Sequence, residues 1–412
     1  MTGVNNMKKQ ILFIGISMLR GGTEKAFISM AQALDFEHYD YTLLLARGDG
    51  PLMGELPPQI KVEILPSCGD MFLLSGKNAY KTISESIIKP HPAAVLDVAP
   101  YFLRLLISRG KRAYNATKMW IELMKKYAPE YHPETVYDAA VAYWGDRTMF
   151  YMIDKVRAKR KITWLHFDYG NPPRDDSLYL PYFEKCDRIV TVSKSVDEAL
   201  RSHLPSVAPK CVEMDNILNV TLIRRLALEG ESFPDARFEG KRILSVCRIS
   251  EQKGIDFIIP VLARLRAEKY NVRWYIVGPA DEDYKNSIIE AALDGGVADM
   301  LILIGARDNP YAYVRDADIF ALPSRYEGKP ITVEEAKALF KPIVCSNYVS
   351  ADEQLDGGRL GVICPIGAEG LYGGVKRLLD DERLCDKFTV RLSHEKFGNK
   401  DEISKFYDLI GQ

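Results

Sequence analysis

Short apolar runs alternating with helical patterns recur along almost the whole chain, and that alternation restricts the folds open to it. Apolar runs at 10–16, 41–46, 61–65, 137–143, 161–165 and 188–192 read as strands, with a Gly turn at 21–22 and a helix over 23–34. A second series follows at 242–247, 272–277, 301–304, 319–322, 342–345 and 361–364. Short buried strands separated by helices form parallel sheets covered on both faces. Two such series predict an α/β protein of two doubly wound, Rossmann-like domains. Between them lies a polar stretch rich in charge, Gly and Pro, EGESFPDARFEGK (229–241). The expected division is a first domain over 1–219 and a second over 220–395. An amphipathic helix within 396–412 has the pattern to cross back to the first domain.

Charge and cysteine usage exclude several functions. The 412 residues carry a net charge of -1, which gives no electrostatic footprint for nucleic acid. Seven cysteines (68, 186, 211, 247, 345, 364, 385) are scattered with no C-x-x-C pair, so neither a disulfide framework nor a zinc site is indicated and a reducing cytoplasm is expected. The longest apolar run near the start, 11–16, is too short for a signal segment or a span. One region departs from the alternation: 98–127 reads as a helical hairpin. Between Tyr101 and Lys126 it holds seven Lys/Arg (104, 109, 111, 112, 118, 125, 126) against one acid, Glu122, with Tyr101, Phe102, Tyr114 and Trp120 interleaved. Such a segment suits the anionic inner face of a cell membrane, where the protein would sit peripherally. It equally suits a solvated helix face over a core.

The stretch SRYEGKPITVEEAKALFKPIV (324–344) carries the most chemistry. Pro330 fits a first helical position, and Val333, Ala336 and Leu339 recur at helical spacing. Glu327 then stands just ahead of a helix N-terminus and Glu335 about two turns inside it. Glu334, on another face, reads as solvated. The helix start offers the N–H groups of Ile331 and Thr332 to an anion. In the first domain, Gly21 and Gly22 allow close backbone approach to a ligand. His166 closes the strand of ITWLHFDYG, where open α/β sheets place ligand groups, although a lone His is more often structural. Asp168 and Asp146 are weaker candidates for the acceptor.

These motifs and their order resemble the retaining GT-B glycosyltransferases of family four (glycosyl transferases group 1), of the bacterial surface-polysaccharide type. Glu327 and Glu335 match the family's E-x7-E motif, SVCRISEQKGIDFII (245–259) its V-G-R-x-x-x-x-K-G turn, and GGTEKAFISMAQAL (21–34) its first Gly-Gly loop. WYIVGPADEDY, NPYAYVRDADIFALPSRYEG and VTVSKSVDEAL follow the family's order. The resemblance spans most of 10–385 and implies two domains facing across a cleft. It implies a hexosyl-transferring enzyme (EC 2.4) that moves a sugar, with retention, from a nucleotide-diphosphate-sugar to a glycan or polyprenyl-linked glycan hydroxyl. Arg248 and Lys253, the latter opening the following helix, would clamp the donor diphosphate. Cations aimed at a leaving group stabilise the transition state more than the ground state. By the same resemblance Glu335 holds the ribose, Glu327 the donor sugar, and His166 lies near the reacting sugar. Gly22, Ile331 and Thr332 would complete the donor site, and Gly21 and Asp168 would face the acceptor. No cofactor or bound metal is expected. The chain departs from the family at Cys247, where Gly is usual. A noncatalytic GT-B partner subunit is the alternative of a different class.

Overall fold

The computed structural model describes residues 8–66, 69–73, 79–107 and 112–411. The chain forms two compact units, one of Met1–Val192, Asp197–Asp215 and Asp401–Gln412, the other of Ser193–Val196 and Asn216–Lys400.

The first unit is built on a seven-stranded parallel sheet of order β3-β2-β1-β4-β5-β6-β7. Its strands are β1 (Lys9–Gly15), β2 (Tyr39–Leu45), β3 (Lys61–Ile64), β4 (Tyr137–Ala142), β5 (Ala158–Leu165), β6 (Arg188–Thr191) and β7 (Cys211–Glu213). The central β1 pairs Ile11 with Tyr41 on one side and with Ala139 on the other. Ile11 to Ile14 are at most 1% exposed, as a strand covered on both faces requires. The edge strand β7, Cys-Val-Glu, escaped the sequence reading because it holds only two apolar residues in a row. The helix Ile403–Ile410 completes this unit: Phe406 stacks 5.6 Å from Phe13, and the Tyr407 hydroxyl accepts the Asp35 N–H at 2.6 Å.

The expected hairpin forms as the helices Val95–Ile107 and Arg112–Tyr127. Two of its aromatic residues, Trp120 and Tyr101, face the core. Trp120 is 1% exposed and donates its indole N–H to the Met71 carbonyl at 2.8 Å, and Tyr101 is buried beside it in the core. Large rings at the spacing of the buried face serve the core first. Arg109, Lys111 and the side chains of Phe102 and Arg112 lie outside the described residues. Among the described residues no helix is long and apolar enough to cross a membrane.

The second unit carries a six-stranded parallel sheet, β10-β9-β8-β11-β12-β13. The strands are β8 (Lys241–Val246), β9 (Val272–Val277), β10 (Leu301–Gly305), β11 (Ile319–Leu322), β12 (Ile343–Ser346) and β13 (Val362–Cys364). In both sheets the strand order turns back on itself next to the first strand, between β1 and β4 and between β8 and β11. Crossovers leave such a point in opposite directions, which opens a crevice at the strands' C-terminal ends. The segments leaving β8 and β11 are those that carry Arg248 to Lys253 and Ser324 to Glu335.

Candidate active site

In the second unit, two loops are stitched together at the switch point. The Gln252 side-chain amide donates to the Tyr326 carbonyl at 3.0 Å, and the Arg325 N–H donates to the Gln252 carbonyl at 2.8 Å. Arg325 also grips Asp256 with two bonds of 2.8 and 2.7 Å, its guanidinium 4.2 Å from the Phe257 ring centroid. Gly254 makes the approach feasible. It sits at φ +64, and a Cβ there would stand 2.1 Å from the Pro323 carbonyl oxygen, so the K-G pair of the motif needs its glycine on two counts. Lys253 belongs to a single 3-10 turn, Glu251–Lys253, and the α-helix begins only at Ile258. The left-handed Gly254 is what delays it.

Lys253 and Glu327 form a salt bridge whose side chains are 19% and 8% exposed. The same carboxylate oxygen accepts the Ser324 hydroxyl at 2.6 Å. The Lys253 charge is therefore engaged within the chain. Arg248 leaves the end of β8 exposed, and no ion pair or hydrogen bond to its side chain is found among the described residues. The neighbouring Cys247 is buried, and burial pushes its thiol up to about 12, so it is an uncharged filler. A Cβ at Gly278 would lie 2.0 Å from the Cys247 carbonyl oxygen. Where the family has Gly at 247, close approach here is supplied by the glycine on the facing strand end.

The helix after β11 runs Ile331–Ala338 with Pro330 as its N-cap, so it starts one residue later than expected. Glu335 lies about one turn inside, ~6 Å from Ile331 at 1.5 Å per residue, where two turns were expected; the two-turn interval is the one that separates Glu335 from Glu327. It is 2% exposed, and its Oε1 accepts the Tyr311 hydroxyl at 2.7 Å. A carboxylate this deep requires such a partner. Ile331 and Thr332 occupy the first turn, as placed from sequence. Glu334 is not solvated: it accepts from Gln354 Nε2 at 2.9 Å and pairs with Lys337 at 2.9 Å. The helix Ala351–Gln354, folded back against it, supplies that amide. Tyr311, which holds Glu335 from another element, leaves no local spacing signal, and Ser324, three residues before Glu327, meets it only through the shape of the loop.

In the first unit, Gly21 caps the helix Gly22–Ala31 without a side-chain bond. A Cβ on Gly21 would stand 2.1 Å from Glu24 Oε2, and Glu24 accepts the Trp144 indole N–H at 3.2 Å. The glycine thus makes room for an acid curled over the helix start, a role the Gly-Gly pair alone did not announce. His166 leaves β5 with its ring 4.7 Å from Tyr143 and parallel to Trp164 at 6.4 Å. Burial pushes its pKa down to about 3 against a hydrogen bond to the Tyr143 backbone, so the ring is neutral at pH 7. Its Nε2 is buried without a hydrogen-bond partner among the described residues, and so is Asp146 Oδ1. Asp146 itself sits at φ +41, just after β4. Asp168 Oδ1 accepts the Gly170 N–H at 2.9 Å, shaping the loop after His166.

Comparison with known proteins agrees with this architecture. Residues 232–391 match the family model for glycosyl transferases group 1. An uncharacterized glycosyltransferase of Haemophilus influenzae is 25% identical over 98% of this chain and 100% of its own length. The N-acetylgalactosamine-N,N'-diacetylbacillosaminyl-diphospho-undecaprenol 4-alpha-N-acetylgalactosaminyltransferase of Campylobacter jejuni is 26% identical over 49% of this chain and 53% of its own. The crystal structure of Anabaena HepE in complex with UDP and glucose superposes with a TM-score of 0.66 at 15% identity, covering 97% of this chain and 98% of that one. The fold is GT-B, and the protein is a glycosyl-transferring enzyme (EC 2.4). Its second unit carries the region that matches glycosyl transferases group 1.

Proposed function

We propose that the chain moves a sugar from a nucleotide-diphosphate-sugar to a hydroxyl of a lipid-linked glycan, with retention at the anomeric carbon. The observation that carries this reading is the grouping at the β8/β11 switch point: an exposed, unengaged Arg248, a paired Lys253–Glu327, and a buried Glu335 one turn inside a helix whose N-terminus faces the same loops. Arg248 and the N–H groups of Ile331 and Thr332 meet the diphosphate. Lys253 neutralises it as the leaving group gains charge, and Glu327, its Oε1 held by Lys253 and Ser324, turns its other oxygen to the donor sugar's hydroxyls. Glu335, steadied by Tyr311, accepts from the ribose. Attack occurs from the face the leaving group departs, with the diphosphate taking the acceptor's proton and the protein supplying position and charge. These cations take the part a metal plays elsewhere, so no resident metal enters the scheme. The first unit, through Gly21, His166 and Asp168, binds the acceptor.

The lipid-linked acceptor draws support from two sides. The Campylobacter relative acts, by its name, on a diphospho-undecaprenol substrate. In this chain the helix Val95–Ile107 turns Leu96 (79% exposed) and Leu103 (58%) outward with Ala99, Pro100 and Arg104. This apolar stripe beside a basic hairpin replaces the buried aromatic residues as the proposed contact with an anionic inner membrane face. Two of the cations have local partners, Lys126 with Asp97 at 2.6 Å and Lys118 with Glu122 at 3.9 Å. Incubation with UDP-glucose, UDP-galactose, UDP-N-acetylglucosamine, UDP-N-acetylgalactosamine and GDP-mannose, with undecaprenyl-diphosphate-linked glycan extract, tests the reaction. Nucleoside diphosphate release and the anomeric coupling of the product are the readouts; no release with any donor contradicts the reading. Co-sedimentation with phosphatidylglycerol vesicles, lost at high salt and in Leu103→Glu, tests the surface.

A further inference from the structure

The loop between β5 and the helix Asp176–Phe183 carries both acceptor-side candidates, His166 and Asp168, and it is wrapped around one guanidinium. Arg174 Nη1 donates to three carbonyl oxygens of this loop: Asp168 at 3.2 Å, Tyr169 at 3.1 Å and Pro172 at 3.3 Å. Its plane lies over the Phe167 ring, 4.0 Å from the centroid. Nη2 stands 3.6 Å from Asp146 Oδ2, and the Arg174 side chain is 15% exposed. Carbonyl oxygens converging on one donor mark a loop whose shape is set from inside, because each would otherwise need its own partner. The planar fork and the face over Phe167 are properties of arginine that lysine lacks. Asp146 ties the assembly to the end of β4 at the sheet's switch point, held in a left-handed conformation unusual for a residue with a Cβ.

We propose that Arg174, anchored by Asp146, is the positioning residue that holds the His166–Asp168 loop in its acceptor-competent shape. Arg174 touches neither donor nor acceptor in this account; it acts through the loop. The proposal rests on the reading of His166 and Asp168 as the acceptor side. In structural terms the latch fixes the backbone of 167–172 while leaving His166 Nε2 and Asp146 Oδ1 without partners among the described residues. A loop held only by its own turns would let those atoms relax onto water or neighbouring backbone, and a misplacement of about 1 Å costs on the order of a hundredfold in rate.

The test uses the full-length chain and the Arg174→Ala, Arg174→Lys and Asp146→Asn variants. Amide hydrogen exchange over 166–175 and steady-state release of UDP or GDP, from whichever donor of the panel the wild type turns over, are measured together. Arg174→Ala is expected to speed exchange at 167–170 and to lower kcat about 10- to 100-fold. The donor KM should stay within about twofold, a split that a general loss of structure would not produce. Arg174→Lys, which keeps the charge near Asp146 but not the fork, should recover little; Asp146→Asn should fall between. Wild-type exchange in Arg174→Ala, wild-type kcat, or full rescue by lysine overturns the proposal. If Arg174→Ala does not fold, the same readings on Asp146→Asn and Arg174→Lys decide. A wild type that turns over no donor defeats the transferase reading instead, and accelerated exchange in the variants then still upholds the latch.

Discussion

At the β8/β11 switch point the acids are fully engaged: Glu327 accepts from Lys253 and Ser324, and Glu335 from Tyr311. At the strand ends of the first unit, His166 Nε2 and Asp146 Oδ1 are buried without partners among the described residues. Both arrangements come from the same architecture, a parallel sheet with ligand-facing loops at its C-terminal edge. The difference lies in how much each end is completed before a ligand arrives. A diphosphate leaving group develops charge, and fixed charges act on it best when they need no reorganisation. Unpartnered buried polar atoms cost free energy, and in the proposed reaction the acceptor is what satisfies these two. On the proposed reaction, the second unit is pre-set and the first is kept receptive.

Breaking the pre-set end should produce the largest effect. Glu327→Gln removes the carboxylate that orders Lys253 and Ser324, and nucleoside diphosphate release should fall roughly 10²- to 10³-fold, the scale for one transition-state contact. Steady-state turnover at saturating donor checks this. Next comes stability. Lys253→Ala strands a carboxylate that is only 8% exposed, which should cost about 3 kcal/mol in urea unfolding, the low end for a broken buried pair because Lys253 keeps some solvent contact. Gly254→Ala forces a Cβ towards the Pro323 carbonyl at φ +64, and about 1–3 kcal/mol of strain should appear in the same assay.

The receptive end should give the smallest effect, and one tied to pH. The folded pKa of His166 is depressed to about 3 by burial, below the ordinary value of about 6.5. Protonation therefore favours the unfolded chain. The neutral ring costs nothing above pH 6.5, and stability is lost as pH falls from there towards 3. His166→Gln should flatten that part of the unfolding profile between pH 5 and 7. A profile unchanged by the substitution would mean that the ring is solvated.

How far these contrasts were visible in the sequence follows from what each depends on. Strands such as β9 and β11, and the E-x7-E spacing, were legible because apolar runs and intervals along the chain are local. The three-residue β7 left no such trace. Trp120 looked like an interfacial aromatic because composition does not say which face of a helix meets the core. Glu334 looked solvated because its partner Gln354 arrives from a separate helix. Glu335 was set too deep because its two-turn spacing from Glu327 includes loop residues ahead of Pro330, and the helix begins only at Ile331. The pairing of Lys253 with Glu327 depends on Gly254 letting two loops touch, which no spacing reports. Tyr311 was missed for the same reason, and Ser324 and Arg174 because partners a few residues along a loop meet only once that loop takes its shape.

The central claim is that the second unit presents Arg248 and Lys253 to a nucleoside diphosphate, with Arg248 exposed and unengaged among the described residues. Isothermal titration of UDP and GDP into the wild type and Arg248→Ala tests it most directly, read beside urea unfolding of the same samples. An exposed side chain with no partner should leave stability within about 0.5 kcal/mol. Its loss should nonetheless weaken binding of one nucleotide by about 1.5–3 kcal/mol, the scale of a charge-assisted hydrogen bond. Affinity for both nucleotides unchanged in Arg248→Ala, with the wild type binding at least one, would contradict the account.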